Sequence, residues 1–259
     1  MARQMRKRSR TGIYHVMIRG NSGQSIFEHN EDRKKFLEIL AETKEKTKYE
    51  IDLYAYCLMG NHVHLLIREN NMDLGDFMRR AVAKYAQWMN YKYERKGHVF
   101  QDRYKSEPVE DDQYLLTVFR YILQNPMKAG LSKDVFDYKW SSWKSYEFNQ
   151  EYPIGLTDVT YIINIFGKTK DEAIDRMKRF VQKANNDCCL DIDTGVRLTD
   201  DELRNRIKQD LPELKYQSLN QLSKEKRNEA LRKIKLIEGA SKLQIARITG
   251  LGVKIVHNA

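Results

Sequence analysis

The sequence predicts an α+β protein: a ferredoxin-like βαββαβ sheet, followed by a helical C-terminal region that contains a helix-turn-helix. Three observations support this prediction. Four segments have the apolar or alternating pattern of strands, at 13–19, 50–59, 62–68 and 99–109. Two segments with apolar residues at helical spacing lie between them, at 30–47 and 73–95. From about residue 151 onward, the chain has the charged, amphipathic character of short helices.

The second and third strands are predicted to form a hairpin that carries two histidines. Gly60-Asn61 lies between two apolar runs, which is typical of a tight turn. His62 and His64 follow it, and because side chains alternate along a strand, both imidazoles lie on one face. The chain has only six histidines, and two neutral imidazoles on a rigid strand are half of a divalent-metal site. The alternative is that both are ordinary polar residues on a solvated face.

The first strand supplies a further histidine, His15. In a βαββαβ sheet the first and third strands are central neighbours, so His15 is expected beside His62 and His64. A lone histidine in such a strand is more often a hydrogen-bonded structural residue. His15 is therefore a secondary candidate for the site.

The helix after the sheet is expected to begin after Asp111 and to end at Gln124, because Asn125-Pro126 follows. Its apolar residues at i, i+3, i+4 and i+7 form the buried stripe. Two tyrosines lie on one flank of that stripe, Tyr114 and Tyr121.

The chain is predicted to have three parts: a sheet domain at 1–150, a helical connector at 151–200 and a DNA-binding region at 201–259. The last part contains a short helix at 241–249, the turn Gly250-Leu251-Gly252, and a further helix that begins at Val253. Helix, glycine-containing turn and helix form the helix-turn-helix pattern. A generic helical hairpin is the alternative.

The net charge of +10 is concentrated at the two ends of the chain. Residues 1–20 hold six Lys and Arg and no Asp or Glu, and residues 201–259 carry a further net +6, which leaves the centre at −2. Basic ends indicate an anionic polymer partner, most simply nucleic acid. No apolar run is long enough to span a membrane, and three cysteines without metal spacing argue against disulfides and zinc ribbons. The expected location is the cytoplasm.

Several motifs occur together in the first half of the chain. They are Tyr14-His15-Val16 with Arg19-Gly20-Asn21, the run from Tyr56 to His64, Tyr114-Leu115-Leu116, Arg120-Tyr121-Ile122 with Asn125-Pro126, and Ala129-Gly130-Leu131. His62-Val63-His64 has the His–hydrophobic–His form that is the HUH signature of single-strand DNA nucleases. Over about residues 10–145 the chain resembles the IS200-like transposases, specifically the REP-associated tyrosine transposases.

The resemblance implies a divalent cation, Mg²⁺ or Mn²⁺, held by His62 and His64. It also implies one catalytic tyrosine, for which Tyr114 is the matching position, with Tyr121 interpreted as a packing residue. The implied reaction is DNA cleavage and strand transfer through a 5′-phosphotyrosine. A third metal ligand commonly lies one turn after the tyrosine, where this chain has Val118, which cannot coordinate. The alternatives are His15, Gln113, Gln124 or water.

The implied partner is single-stranded or hairpin DNA in a bacterial cytoplasm, in association with the nucleoid, and the oligomeric state is open between monomer and homodimer. Residues expected to contact DNA are Arg6, Arg8, Arg10, Arg19, Arg79, Arg80, Arg103, Arg247 and Lys254. Two other functions remain open. One is a DNA-binding regulator that does not cleave, which the apolar Val118 favours. The other is a zinc hydrolase, for which a paired general base such as an adjacent Glu is missing.

Overall fold

The computed structural model describes residues 6–46, 51–70, 73–190, 198–212, 216–237, 239–240 and 242–259. Within these residues an antiparallel sheet of four strands has the order β2-β3-β1-β4. The strands are β1 (Ile13–Arg19), β2 (Ile51–Leu58), β3 (His62–Glu69) and β4 (Lys105–Val109). Because β1 and β3 are the central pair, the predicted ferredoxin-like sheet is confirmed.

The α-helices of the described residues follow the order expected for this sheet and then continue into the C-terminal region. They are α1 (Asn30–Lys46), α2 (Leu74–Lys92), α3 (Asp112–Lys128), α4 (Trp143–Phe148), α5 (Thr160–Phe166), α6 (Lys170–Gln182), α7 (Asp200–Asp210), α8 (Lys224–Lys235), α9 (Lys242–Thr249) and α10 (Val253–Asn258). No helix among them is long and apolar enough to cross a membrane.

Helices cover both faces of the sheet. Leu40 of α1 and Phe77 of α2 line a small cavity with Leu65 of β3, which places these two helices on one face. On the opposite face, α3 contacts β3 through the rings of Tyr121 and His64. The histidine face of the sheet is therefore covered by the helix that carries both candidate tyrosines.

The predicted end of α3 at Gln124 is wrong, because the helix continues to Lys128. Asn125 and Pro126 lie inside it, and Ala129 N–H donates to the Asn125 carbonyl at 2.9 Å. Proline removes only its own N–H donor, so one hydrogen bond is lost near the end of the helix. The longer helix keeps Asn125 in helical register, one turn after Tyr121.

The fourth strand is shorter than the predicted segment at 99–109, because β4 begins at Lys105. Before it, Gln101 N–H donates to the carbonyl of Arg19 at 3.0 Å. This hydrogen bond holds the preceding segment against the end of β1, so these residues close the edge of the site rather than extend β4.

Two hydrophobic cores are present among the described residues. The first surrounds the sheet and includes α5 and α6, whose buried residues include Ile162, Ala173, Met177 and Val181. The second is formed within α7 to α10, with buried Leu203, Ile207, Leu231, Ile234, Ile245 and Val256. The first core therefore extends well into the predicted connector at 151–200.

The C-terminal helices contact the sheet domain through the start of α7. Arg33 of α1 forms an ion pair with Glu202 at 3.1 Å, and both side chains are largely buried. Gly60, in the turn between β2 and β3, packs so closely that a Cβ there would lie 2.8 Å from Thr199 Cγ2. The two cores are therefore joined at the turn that precedes His62.

Candidate active site

His62 and His64 lie on one face of β3, as the alternation of strand side chains predicts. Their ring centroids are 5.0 Å apart and the rings are perpendicular. His64 is fully buried, whereas His62 is partly exposed. The pair therefore extends from the protein interior to its surface.

Both histidines use the same ring nitrogen for a hydrogen bond inside the protein. His62 Nδ1 lies 2.7 Å from Asn61 Oδ1, an acceptor, so His62 Nδ1–H donates and Nε2 keeps its lone pair. His64 Nδ1 lies 2.9 Å from His15 Nε2. When His64 Nδ1–H donates this bond, its Nε2 also keeps a lone pair. His15 thus supports His64 in the way that outer partners orient metal-binding histidines.

The Nε2 atom of His64 is buried and has no hydrogen-bond partner among the described residues. Burial, and then the neighbouring His62 and His15, lower the pKa of His64 well below its ordinary value. The ring is therefore neutral near pH 7, which is the form that binds metals.

The two candidate tyrosines lie in different surroundings. The Tyr121 ring packs edge-on against His64 and His15, with centroids 5.7 and 5.9 Å apart. Tyr114 lies seven residues earlier on α3, about 10 Å along the helix axis. Burial raises the pKa of Tyr114, and a hydrogen bond to Glu107 raises it further. The structure brings Tyr121 to the histidines and holds Tyr114 at β4.

The alternatives for a third metal ligand lie in distinct places. Val118 is fully buried in the first core. The Gln124 amide donates to the Val181 carbonyl at 2.5 Å and is used in packing α6. Gln113 is exposed in the first turn of α3. No cluster of three His, Cys, Asp or Glu arranged to hold a metal occurs in the part of the chain that the structure describes.

Asn125 is a candidate ligand that the sequence did not predict. It lies one turn after Tyr121 and is 7% exposed. The signal was present as the four-residue spacing between Tyr121 and Asn125, but the predicted helix end at Gln124 placed Asn125 outside the helix. An amide oxygen can coordinate a hard cation, which valine cannot do.

The basic residues near the N-terminus form one cleft with a volume of about 1110 Å³. Four of the predicted DNA-contacting residues line it, Arg6, Arg8, Arg10 and Arg103, together with Lys7 and Arg68. The Arg6 guanidinium lies 3.8 Å from the centroid of the Tyr104 ring. The cleft lies at the Ile13 end of β1, about 20 Å from Arg19 at a strand rise of 3.4 Å per residue.

The other predicted DNA-contacting residues are distributed over three regions. Arg19 is the register partner of His62 across the central strand pair. Arg79 and Arg80 are exposed on α2, and Arg79 pairs with Asp76 at 2.9 Å. In the C-terminal helices, Lys254 is exposed, whereas Arg247 forms a two-pronged ion pair with Asp200 at 2.6 and 2.7 Å. The Arg247 guanidinium is therefore already used in joining α9 to α7.

A loop after α6, residues 183–190, crosses α3 and reaches β4. Arg120 of α3 pairs with Asp187 through two hydrogen bonds of 2.8 and 2.9 Å. Leu190 N–H donates to the Glu107 carboxylate at 3.1 Å. Burial raises the pKa of the Cys189 thiol to about 12, so this cysteine beside Tyr114 stays protonated. The loop explains why Tyr114 is only partly accessible.

The region that contains the histidines and both tyrosines is similar in sequence to known proteins. Residues 9–125 match the sequence model of the family described as Transposase IS200 like. A putative REP-associated tyrosine transposase from Haemophilus influenzae is 27% identical over 106 residues, which cover 37% of this chain and 60% of that relative. The chain thus spans about 60% of the relative that it matches.

A solved structure, of the REP associates tyrosine transposase bound to a REP hairpin, is similar with a TM-score of 0.48 and 16% identity. The matched region covers 62% of this chain and 94% of the chain in that structure. The family match at 9–125 includes His62, His64 and both tyrosines of α3.

Proposed function

We propose, from the match of residues 9–125 to the family described as Transposase IS200 like, that the protein is a single-strand DNA endonuclease and strand transferase that acts on hairpin DNA. The observation that carries the proposal is the packing of a tyrosine of α3 against the histidine pair of β3. The Tyr121 ring lies 5.7 Å from that of His64. A tyrosine that can act as a nucleophile and two imidazoles that can bind a metal thereby lie together.

In the proposed reaction the hydroxyl oxygen of the tyrosine attacks the phosphorus of one phosphodiester. A bond forms between tyrosine Oη and phosphorus, the bond to the 3′-oxygen breaks, and the phenolic proton passes to solvent while the 3′-oxygen takes one up. The products are a 5′-phosphotyrosine and a free 3′-hydroxyl. Attack by a second 3′-hydroxyl on the phosphotyrosine rejoins the DNA. No nucleotide is consumed, because the number of phosphoester bonds is unchanged.

Two tyrosines compete for the role of nucleophile. Tyr114 is the residue that the sequence motif predicts, and this stays a prediction. Contact with His64 and His15 favours Tyr121. With Tyr121 as the nucleophile, the residue one turn later is Asn125, whose amide oxygen can coordinate a metal, rather than Val118, which cannot. We therefore propose Tyr121 as the nucleophile.

Transposases of this family generally depend on a divalent metal, and the side chains described here fit one. The fit is supported by the buried, unpartnered Nε2 of His64 and by the Nδ1 hydrogen bond of His62. His62 and His64 would hold the cation together with the Asn125 amide. Mn²⁺ suits the two nitrogens better than Mg²⁺ does. When bound, the cation supplies charge that stabilises the phosphate in the transition state.

The basic cleft is proposed to bind DNA phosphates away from the cleaved bond. Lys7, Arg8 and Arg103 line it and are exposed. A strand that reaches from the cleft to the histidines spans roughly six phosphates at about 3.4 Å each. Such contacts give affinity that falls with salt and carry no base specificity.

A covalent-adduct assay tests the proposal. Wild type, Tyr121→Phe and Tyr114→Phe are incubated with labelled single-stranded hairpin DNA and Mn²⁺, and the products are separated on a denaturing gel. We expect a shifted protein–DNA band with wild type and Tyr114→Phe, its loss with a chelator, and no band with Tyr121→Phe. Each variant removes one hydroxyl from one tyrosine, so each is the matched control of the other.

The reverse result, with Tyr114→Phe inactive and Tyr121→Phe active, would identify Tyr114 as the nucleophile. Tight hairpin binding by wild type without any adduct would favour the second candidate, a DNA-binding regulator that does not cleave. With Tyr114 as the matching tyrosine, the apolar Val118 stands one turn later, where the family commonly has a ligand, and this supports the non-cleaving candidate.

A further inference from the structure

We propose that Arg19 is a catalytic residue that contacts the phosphate being cleaved, rather than one more residue that binds the DNA backbone. The inference rests on the proposed function and adds a positively charged group of the chain's own to the histidine pair.

The register of the central strands places Arg19 beside His62. Arg19 is directly opposite His62 in the pairing of β1 and β3, just as Met17 is opposite His64. Directly opposite residues of an antiparallel pair project from the same face, with Cβ atoms about 4.5–5.5 Å apart. The Arg19 side chain therefore projects from the same face and the same end of the sheet as the His62 side chain.

On this face of the sheet, the solvent-accessible side chains lie at the same end as Arg19. His15 and His64 are fully buried, whereas Arg19 and His62 are partly exposed. A DNA phosphate therefore reaches the histidine pair from the side of Arg19 and His62. An anion that contacts His62 from solvent is within reach of a side chain as long as arginine.

The backbone around Arg19 is held on both sides. Gly20 N–H donates to the Asn61 carbonyl at 2.8 Å, in the turn that positions His62, and the Arg19 carbonyl accepts from Gln101 N–H at 3.0 Å. Asn61 also accepts the hydrogen bond from His62 Nδ1. The backbones of Arg19 and His62 are thus held by the same turn, which keeps the two side chains at one end of the site. Groups positioned before the reaction stabilise a transition state at a low cost of reorganisation.

Arginine suits this task better than lysine. Its planar guanidinium can donate two parallel hydrogen bonds to the two non-bridging oxygens of one phosphate, and it stays charged at all relevant pH values. The guanidinium would thereby offset the negative charge of those oxygens while the tyrosine oxygen attacks the phosphorus. Arg19 would therefore act on the rate of the chemical step more than on the affinity for DNA.

The test compares wild type with Arg19→Gln and Arg19→Ala. Single-turnover rates of adduct formation are measured at saturating protein with labelled hairpin DNA and Mn²⁺, and Kd is measured separately by gel shift. We expect Arg19→Gln to lower the rate constant on the order of 100-fold, the effect of losing one charge-stabilising donor, with Kd nearly unchanged. The matched control is Arg179→Gln, which removes an exposed arginine of α6 and should alter neither quantity.

Chemical rescue separates a catalytic guanidinium from a structural one. Millimolar guanidinium ion should restore part of the rate of Arg19→Ala, whereas the same concentration of sodium chloride should not. Absence of rescue, an unchanged rate constant, or a fall in affinity that accounts for the whole defect would each overturn the assignment. An adduct formed by wild type upholds the proposed function independently of these outcomes, and its absence would refute both.

Discussion

At the residue scale, the groups proposed for chemistry are separated from those proposed for affinity. His62 and His64 lie at the start of the central strand β3, whereas the basic cleft lies about 20 Å away along β1. We expect His62→Ala and His64→Ala each to slow adduct formation about 100-fold or more. Hairpin affinity should change little, because phosphate contacts elsewhere carry it.

Adduct yield and gel-shift affinity, measured on the same preparations, check this prediction. His98→Ala is the matched control, since it removes an exposed histidine outside the site. Loss of hairpin binding by a folded His62→Ala protein would contradict the separation of chemistry from affinity.

At the scale of elements, Asp32 ties the start of α1 to the end of α2. Its buried carboxylate accepts from the Glu28 and His29 amides at 2.7 and 2.8 Å, and from Lys92 Nζ and Tyr93 Oη at 2.5 and 2.7 Å. Burial alone would raise the pKa of Asp32, but these hydrogen bonds outweigh it and lower the pKa. Asp32 therefore stabilises the pair of helices as a carboxylate.

Replacing Asp32 with Asn should lower the free energy of unfolding by about 2–3 kcal/mol at pH 7, because four donors lose a charged acceptor. A carboxyl with a lowered pKa stabilises the fold above its unfolded pKa of about 3.9 and loses this effect as the pH falls through the folded pKa. The Tm difference from wild type should therefore narrow below about pH 4. Asp175→Asn, at an exposed site on α6, is the control, and a pH-independent difference would refute the prediction.

Most of the elements follow from local sequence patterns. The alternation around His62 and His64, the capping residues Asp73 and Asp111, and the glycine turn after α9 all predict elements that the structure contains. Local patterns fail where tertiary contact overrides them. Pro126 predicts a helix stop, but α3 continues two residues beyond it, with Asn125 and Pro126 both buried.

The candidate site is only partly predictable for the same reason. Strand alternation is local, so it places the histidine pair, and the order of strands places His15 beside it. The contact between Tyr121 and His64 joins α3 to β3 and depends on where the helix crosses the sheet. The loop at 183–190 reaches Glu107 from more than eighty residues away in the chain. No spacing rule in the sequence predicts either contact.

At the scale of the whole molecule, one ion pair links the start of α7 to α1, beside the turn that precedes His62. Arg33 packs over the rings of Phe27 and Trp140 while it pairs with Glu202. Glu202 also accepts from Thr199 N–H at 2.7 Å and so completes a capping box at the start of α7. The same carboxylate therefore starts α7 and attaches it beside Gly60.

Glu202→Gln separates these two roles, because glutamine can still complete a capping box but cannot pair with Arg33 as an anion. Breaking a buried ion pair leaves an uncompensated charge and typically costs about 3–5 kcal/mol. We expect a loss of about 3 kcal/mol in the free energy of unfolding, and earlier release by limited proteolysis of a fragment that carries α7 to α10.

Arg204→Gln breaks an exposed pair with Asp201 in the same helix and should cost less than about 1 kcal/mol. In a double-mutant cycle, Arg33→Met should remove most of the effect of Glu202→Gln, since no unpaired charge then remains. Equal, small losses for Glu202→Gln and Arg204→Gln would mean that the pair at Arg33 does not hold the two cores together.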